Sequence, residues 1–383
     1  MNNKAFVSQM KEWRHHLHAY PEYAFEEVKT SEYVANILVG MGLEVHKGIG
    51  KTGVVAILKN GDSKKSIALR ADMDCIILNE VNDLPYRSKN EGRMHACGHD
   101  GHTATLLGAA RLLSERRNFN GTVVFVFQPA EEPGKGAPAM IADGLFERFP
   151  VDEIYGLHNS PIHPEGTFHT RAGGFMASED NFVIQIKGKG GHAASPHLVI
   201  DPLVIAAEII LALQTIVSRN VDPLHQAVIS CTELHTDGAR NAIPSNVTIK
   251  GDTRSNTPEI QKIIETRMKS VVENICKMHG AECQFQYTYE FTPTVNWESC
   301  VKAAVEAAKL VAGEENVNGN CMAIMVAEDF GAYTQKIPGC FLSLGARKGD
   351  KVVPLHNALY DYNDDILEIG AEFFAELIKN RLA

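Results

Sequence analysis

The sequence predicts an α/β fold in which helices flank a mixed β-sheet, with a smaller α+β domain inserted into the chain. Short, continuously apolar runs such as residues 53–58 and 122–127 alternate with helical patterns, which is typical of a sheet covered on both faces. Between residues 178 and 291 the order becomes strand, helix, strand, strand, helix, strand, which indicates a split βαβ unit. The length of 383 residues fits two or three domains.

Each element follows from a local pattern of apolar residues. Apolar residues at helical spacing predict helices over residues 6–17, 28–41, 103–113, 202–219, 258–278, 300–311 and 366–378. Alternating or continuous apolar runs predict strands over residues 53–58, 66–70, 122–127, 154–157, 181–187, 227–233, 247–253, 281–289 and 340–344. We therefore expect a discontinuous larger domain, residues 1–177 and 292–383, and a smaller domain of residues 178–291.

Composition excludes several classes of function. Lys and Arg number 37 against 47 Asp and Glu, and this net charge of −10 argues against a nucleic-acid or membrane-surface binder. The start of the chain lacks the apolar region of a secretory signal. The most apolar stretch, residues 203–213, contains Glu208 and is expected to be too short to span a bilayer. Eight cysteines without a CxxC pair predict reduced thiols, and hence a cytoplasmic protein.

The strongest chemical signal is the segment MHACGHDGH at residues 94–102, which holds three histidines, one cysteine and one aspartate. Imidazole and thiolate are ligands for zinc and other borderline metals. Cys97 and His99 are two residues apart, so both side chains can point the same way on an extended or looped backbone. Gly98 and Gly101 would let the chain turn tightly before the helix that follows.

Other chemistry-bearing segments follow strand-like runs. They are RADMD at residues 70–74, QPAEE at 128–132, GLHN at 156–159 and PLHN at 354–357. Strand ends are where ligand sites form in open α/β sheets. Asp72 and Asp74 are two residues apart, so their side chains share a face. Of the adjacent carboxylates at 131 and 132, one could bind a metal and the other could take a proton from water.

If these segments converge, five side chains can serve as metal ligands: Cys97, His99, Glu132, His158 and His356. One catalytic zinc uses three protein ligands and an open position, so five ligands fit two metals with a bridging ligand and a water better. Two other classes stay open. One is a cysteine hydrolase with Cys97 as nucleophile and His99 or His102 as base, which leaves the paired carboxylates unexplained. The other is a non-catalytic metal-binding or assembly protein.

Taken in order, the five motifs resemble the M20 metallopeptidase family. They are most similar to its amidohydrolase subgroup of hippurate hydrolases, N-acyl-amino-acid aminoacylases, auxin-conjugate hydrolases and N-acetyldiaminopimelate deacetylases, and the resemblance runs over essentially the whole chain. It implies a catalytic domain that binds two divalent ions (zinc, manganese, nickel or cobalt). It also implies that the inserted domain is a lid that makes the subunit contact, in a homodimer or homotetramer.

The resemblance also implies roles for individual residues. It assigns metal ligation to the five side chains above and the general base to Glu131, and it places Asp72 near the metals. In the inserted domain it implies a catalytic role for His192 and substrate binding by Asn241 and Arg254. The implied activity is hydrolysis of the amide bond of a small N-acyl amino acid by metal-activated water. A dipeptidase or carboxypeptidase of the same family is the alternative.

Overall fold

The computed structural model describes residues 3–350 and 352–383, and residues 1, 2 and 351 of the predicted domains lie outside this part. The chain divides into two compact units. The first comprises Met1–Phe175, Val295–Met322 and Asp329–Ala383, and the second comprises Met176–Thr294 and Ala323–Glu328. The predicted inserted domain, residues 178–291, lies within the second unit, which additionally contains residues 176–177, 292–294 and 323–328. The domain boundaries themselves stay a prediction.

The described residues form helices and strands in the following order. The helices are α1 (Asn3–Ala19), α2 (Val28–Gly40), α3 (His99–Arg116), α4 (Gly136–Ala142), α5 (Leu145–Arg148), α6 (Pro202–Asn220), α7 (Pro258–His279), α8 (Glu298–Ala312), α9 (Gly331–Thr334) and α10 (Leu367–Arg381). The strands are β1 (Glu44–Ile49), β2 (Gly53–Asn60), β3 (Ser66–Asp72), β4 (Gly121–Gln128), β5 (Glu153–Pro164), β6 (Phe168–His169), β7 (Gly173–Ala177), β8 (Glu179–Lys187), β9 (Gly191–His192), β10 (Ala227–Thr236), β11 (Ala242–Ile243), β12 (Asn246–Ser255), β13 (Glu282–Phe291), β14 (Thr294–Asn296), β15 (Val317–Asn318), β16 (Ile324–Ala327) and β17 (Gly339–Arg347). Short 3₁₀ turns lie at Pro196–Leu198, Glu314–Asn316 and Asp364–Ile366.

The first unit is built on a mixed sheet. Within its described residues, eight strands follow the order β1-β2-β4-β3-β5-β17-β6-β15. The central pairs β4-β3, β3-β5 and β5-β17 are parallel, whereas β1-β2 and β2-β4 are antiparallel. Apolar residues of these strands pack with α1, α3, α8 and α10 in one core. The predicted α/β class, with helices flanking a mixed sheet, is confirmed.

The second unit contains an antiparallel sheet in the order β10-β12-β8-β13. Along the chain these strands alternate with helices as β8, α6, β10, β12, α7 and β13, the order expected for a split βαβ unit. Alternate residues of β8 (Phe182, Ile184 and Ile186) are buried against both helices. Asp201 and Thr257 accept backbone hydrogen bonds at the starts of α6 and α7, and a proline follows each of them.

Helix α6 corrects one expectation about the most apolar stretch. It continues to Asn220 and is 19 residues long, with a mean hydropathy of 1.6, so the prediction that this stretch is too short to span a bilayer was wrong about its length. Among the residues that the structure describes, it is the one helix that meets this test of length and composition. Core helices meet the same test, and Ile205, Ile209 and Leu213 of α6 pack in the core of the second unit.

Helix α3 begins at His99 rather than at the predicted position 103. Gly98, just before it, has a φ of +97°, and a Cβ there would lie 2.4 Å from Asn159 Oδ1. Gly101, which we expected in a turn, lies inside the helix, where a Cβ would lie 2.3 Å from the Tyr362 ring. The second glycine therefore reflects close packing of a helix against an aromatic ring, and His99 occupies the first turn of α3.

Candidate metal centre

The predicted site residues of the first unit meet at the carboxyl ends of neighbouring parallel strands. β3 and β4 end side by side, with Asp72 opposite Gln128. On the other side of β3, Gly156 of β5 pairs with Arg70, and His158 lies two residues further along. RADMD, QPAEE and GLHN are therefore brought to one edge of the parallel pairing, as expected for an open α/β fold. GLHN lies inside β5, however, because this strand continues to Pro164 instead of ending at the predicted residue 157.

The five predicted ligands come together at this edge. Cys97, His99 and His158 place one ligand atom each within 4.8 Å of one another, and Cys97, Glu132 and His356 do the same. Cys97 belongs to both groups, so its thiol could ligate an ion held by either of them. The Cys97 Sγ to His158 Nε2 distance is 3.5 Å, as is the distance from His356 Nε2 to Glu132 Oε2.

The chemistry of these donors fits divalent metal ions. His99 Nδ1–H donates to the carbonyl of Asp74 at 2.9 Å, and His158 Nδ1–H donates to the carbonyl of Asn159 at 2.7 Å. These bonds leave both Nε2 atoms as acceptors facing the cluster, which is how metal-binding histidines are oriented. Within residues 3–350 and 352–383, His99 Nε2 and Glu132 Oε1 are buried and make no hydrogen bond. An ion would satisfy both of these acceptors.

The carboxylate of Asp74 holds the backbone of the neighbouring Glu131–Glu132 pair. Its Oδ1 accepts a hydrogen bond from Glu131 N at 3.0 Å, and its Oδ2 accepts one from Glu132 N at 3.1 Å. Glu131 Oε2 and Glu132 Oε1 each lie 3.9 Å from His99 Nε2. The two carboxylates therefore face the same cluster from a backbone that Asp74 fixes, a role that our sequence interpretation did not assign to Asp74.

Asp72 contacts His99 and His102 next to the cluster. Its Oδ1 accepts a hydrogen bond from His102 Nδ1 at 2.7 Å, and its Oδ2 accepts one from Arg70 Nη1 at 2.7 Å and lies 3.8 Å from His99 Nε2. Burial alone would raise the pKa of Asp72, but His99, His102 and Arg70 hold it well below its usual range. Asp72 is therefore a buried anion that orients its neighbours.

These contacts argue against the cysteine-nucleophile alternative. Burial, with Glu132 nearby, raises the pKa of the Cys97 thiol, which opposes formation of a free thiolate. His102 Nδ1 donates to Asp72, and His102 Nε2 lies 2.5 Å from Asn159 Oδ1 and 3.0 Å from Asn159 N. Both of its nitrogens are thus engaged, which leaves His102 no lone pair with which to act as a base for Cys97.

A buried ionic network surrounds Asp100, which follows His99 in the first turn of α3. His18 Nδ1 contacts Asp100 Oδ2 at 2.8 Å, and His18 Nε2 contacts Glu80 Oε1 at 3.2 Å. Arg14 Nη1 lies 3.6 Å from the same Asp100 oxygen. Burial alone would lower the pKa of His18, but its hydrogen bonds and charge interaction with Asp100 and Glu80 raise it to about 9.

This network predicts a pH-dependent contribution to stability. A folded-state pKa above the ordinary value of 6.5 means that the folded protein holds the His18 proton more tightly than the unfolded chain. The contribution, on the order of 3 kcal/mol, is complete below pH 6.5 and is lost as the pH rises through about 9. Between pH 7 and 10, urea unfolding should show a steeper loss of stability in the wild type than in His18→Gln. Parallel losses in the two proteins would contradict the assignment.

The remaining predicted residues lie in the second unit. His192 of β9 is paired with Ala242 of β11, which places Asn241 beside this short ladder, and the carbonyl of Asn241 accepts a hydrogen bond from Ala193 N at 3.1 Å. Arg254 of β12 is engaged by two carboxylates, with Arg254 Nη2 2.8 Å from Glu179 Oε2 and Arg254 Nε 3.1 Å from Asp252 Oδ1. The structure therefore brings His192 and Asn241 together and gives Arg254 acidic partners that the sequence did not suggest.

Comparisons with known proteins agree with the motifs. A family model described as Peptidase family M20/M25/M40 matches residues 68–380. The chain is 42% identical to a hippurate hydrolase of Campylobacter jejuni, over 95% of this chain and 94% of that protein. It is 37% identical to an N-acetylcysteine deacetylase of Bacillus subtilis, over 98% of each. A solved Bacillus subtilis structure, described as a dinuclear metal-binding peptidase of the M20 family, matches with a TM-score of 0.86 at 34% identity, over 99% of each chain. The resemblance seen in the sequence is thus confirmed, and the chain belongs to peptidase family M20/M25/M40.

Proposed function

We propose that this protein is a metal-dependent amidohydrolase that cleaves the amide bond of small N-acyl amino acids of the hippurate or N-acetyl type. The observation that carries the proposal is the cluster of Cys97, His99, Glu132, His158 and His356 with a further carboxylate, Glu131, facing it. Relatives named hippurate hydrolase and N-acetylcysteine deacetylase, both similar over nearly the whole chain, support this substrate class.

Two divalent ions held by the five ligands would acidify the attacking water and polarise the substrate carbonyl. Glu131 takes the proton of that water as it attacks, and later gives it to the leaving amine as the C–N bond breaks. Asp74 holds the Glu131 backbone during both proton transfers. Asp72 keeps His102 and the adjoining His99 in place. Glu131 and Glu132 are adjacent, but they would have different tasks: Glu131 transfers the proton, and Glu132 binds metal.

Metal content tests the two-ion part of the proposal. Two ligand groups that share Cys97 predict a stoichiometry of about two divalent ions per chain. Elemental analysis of protein purified without chelator should approach this value, and chelation should abolish activity that Zn²⁺, Mn²⁺, Ni²⁺ or Co²⁺ restores. Full activity at saturation with a single ion would exclude the two-metal assignment.

In the second unit, we propose that His192 donates a hydrogen bond to the oxyanion that forms at the carbonyl and that Asn241 orients the substrate. Arg254 would pair with the free carboxylate of the amino acid, because a guanidinium matches a carboxylate in a bidentate fashion. A substrate carboxylate would then compete with Glu179 and Asp252 for that side chain. We also propose that this unit forms the subunit contact of a cytoplasmic homodimer or homotetramer.

A substrate panel decides the class of activity. The enzyme loaded with each metal in turn should hydrolyse hippurate or N-acetyl amino acids faster than unmodified dipeptides. Methyl esters or amides of the same compounds should react poorly, because they lack the free carboxylate that Arg254 would recognise. Preference for dipeptides or for longer peptides with a free carboxyl end would instead favour a dipeptidase or carboxypeptidase.

A further inference from the structure

A buried carboxyl group outside the ligand set contacts the loop that carries Glu131. Glu27 immediately precedes α2, and its side chain is fully buried. Its Oε1 accepts a hydrogen bond from Ala130 N at 2.9 Å, and its Oε2 accepts one from Thr52 Oγ1 at 2.6 Å. Among the described contacts of Glu27, no cation offsets its charge. Burying a carboxyl without a cationic partner is costly, so packing alone does not account for Glu27.

The residue that Glu27 holds has an unusual backbone conformation. Ala130 has a φ of +50°, in the left-handed region that residues with a Cβ rarely adopt. The next two amides, those of Glu131 and Glu132, are bound by the carboxylate of Asp74. Three successive N–H groups are thus held by two buried carboxyl groups from outside the loop. Such strain persists only where the surrounding contacts maintain it.

We propose that Glu27 is a positioning residue for catalysis: by binding the Ala130 amide it keeps this residue left-handed and so aims the Glu131 side chain at the reacting atoms. The inference rests on the proposed function of Glu131 as the base. Asp74 binds the amides of Glu131 and Glu132, whereas Glu27 binds the amide of the left-handed residue itself, Ala130. Loss of Glu27 should therefore leave the fold and the metal ligands in place, but the Glu131 side chain should no longer be held in one orientation.

The environment of Glu27 indicates which substitutions are informative. Burial, together with the nearby charge of Asp74, raises the pKa of Glu27 to about 7, so a neutral side chain can occupy this position. Glu27→Gln keeps an oxygen that can accept the Ala130 hydrogen bond. Glu27→Asp keeps the charge but withdraws the oxygens by one methylene, and Glu27→Ala removes them. The positioning role therefore predicts that the Glu27→Gln variant is more active than the Glu27→Asp and Glu27→Ala variants.

A matched control lies five positions earlier on the same segment. Glu22 is also buried, and its Oε2 accepts a hydrogen bond from Thr30 N of α2 at 2.8 Å rather than from the loop. Glu22→Ala should lower the unfolding temperature without a specific effect on kcat. It separates the general cost of removing a buried carboxyl group from the specific loss of the Ala130 contact.

The contact itself can be tested in metal-free protein, without any assay of activity. Hydrogen–deuterium exchange of a peptide that covers residues 128–134 should be faster in Glu27→Asp and Glu27→Ala than in the wild type, and near normal in Glu27→Gln and Glu22→Ala. Unchanged exchange in both Glu27→Asp and Glu27→Ala would overturn the structural part of the proposal. Should Glu27→Ala fail to fold, the comparison of Asp with Gln is sufficient.

The catalytic consequence is then measured on metal-loaded enzyme with an N-acyl amino acid. Because misplacing a reacting group by about 1 Å can cost roughly 10²-fold, Glu27→Ala and Glu27→Asp should lower kcat by about 10- to 100-fold. Their KM should stay within about threefold and their metal content should be unchanged, while Glu27→Gln should recover most of kcat. Wild-type kcat in Glu27→Asp, or an equal loss in Glu22→Ala, would refute positioning. An inactive wild type would refute the proposed function instead, while the exchange experiment would remain valid.

Discussion

Glu131→Gln should retain its full complement of metal and lose turnover by roughly 10²–10⁴-fold, the usual contribution of a general base. The amide preserves the size of the side chain, and the Asp74 hydrogen bond to the Glu131 backbone is unaffected by the change. What disappears is the ability to accept a proton from water and to return it to the leaving amine. The measurement is kcat with an N-acyl amino acid, combined with elemental analysis of the same sample.

The neighbouring residue supplies a matched control for this experiment. Glu132 lies in one ligand group with Cys97 and His356, so Glu132→Gln should weaken metal binding and regain activity when metal is added in excess. The two variants differ by one position and carry the same chemical change. If Glu131→Gln is purified without metal and Glu132→Gln keeps its metal, the roles of the two carboxylates are the reverse of those proposed.

Part of the cluster was predictable from the sequence, because Asp72 ends β3 and the 131–132 pair follows β4. β3 and β4 are parallel neighbours that end side by side, and His158 of β5 lies two residues beyond the last pairing of β5 with β3. The positions of Asp72 and His158 near the 131–132 pair therefore follow from the sequence pattern. PLHN at residues 354–357 was also expected to follow a strand, but β17 ends at Arg347, and PLHN lies in the loop beyond it. Its similarity to GLHN and the family resemblance are what connected His356 with the cluster.

Contacts made by irregular backbone could not be predicted in this way. Glu27 meets Ala130 and Asp74 meets Glu131 because two loops adopt particular conformations, and one of these includes a left-handed alanine. His18 reaches Glu80 across 62 positions of sequence without any periodic pattern that would connect them. The start of α3 was misplaced for a related reason: Gly101 resembles a turn residue until Tyr362 is seen packed against it.

The tautomer of the His192 ring follows from a contact within its own turn. Its Nδ1 lies 3.1 Å from Ala194 N, and because a backbone N–H can only donate, Nδ1 must be the acceptor. The proton of the neutral ring then resides on Nε2. His192 is exposed, so this Nε2–H is available as a hydrogen-bond donor. An oxyanion donor requires this tautomer, but a histidine that merely caps the turn would have it as well.

His192→Ala should therefore lower kcat by about 10²–10³-fold, the usual cost of losing an oxyanion donor. The effect on KM should be smaller, because the bond to the oxyanion strengthens only as charge develops in the transition state. Steady-state kinetics on a folded sample, verified by circular dichroism, give the answer. His197→Ala, which changes another exposed histidine of the same segment, should leave kcat near normal.

His192→Asn separates the two roles, because the asparagine Oδ1 can take the place of Nδ1 and accept the Ala194 hydrogen bond, while nothing replaces Nε2–H. If His192 acts on the oxyanion, the Asn variant should keep the turn and be as slow as the Ala variant. If the histidine only caps the turn, Asn should restore kcat and any stability lost in Ala. Slow turnover in a stable Asn variant would thus assign the role to Nε2, since it is the atom that the substitution removes.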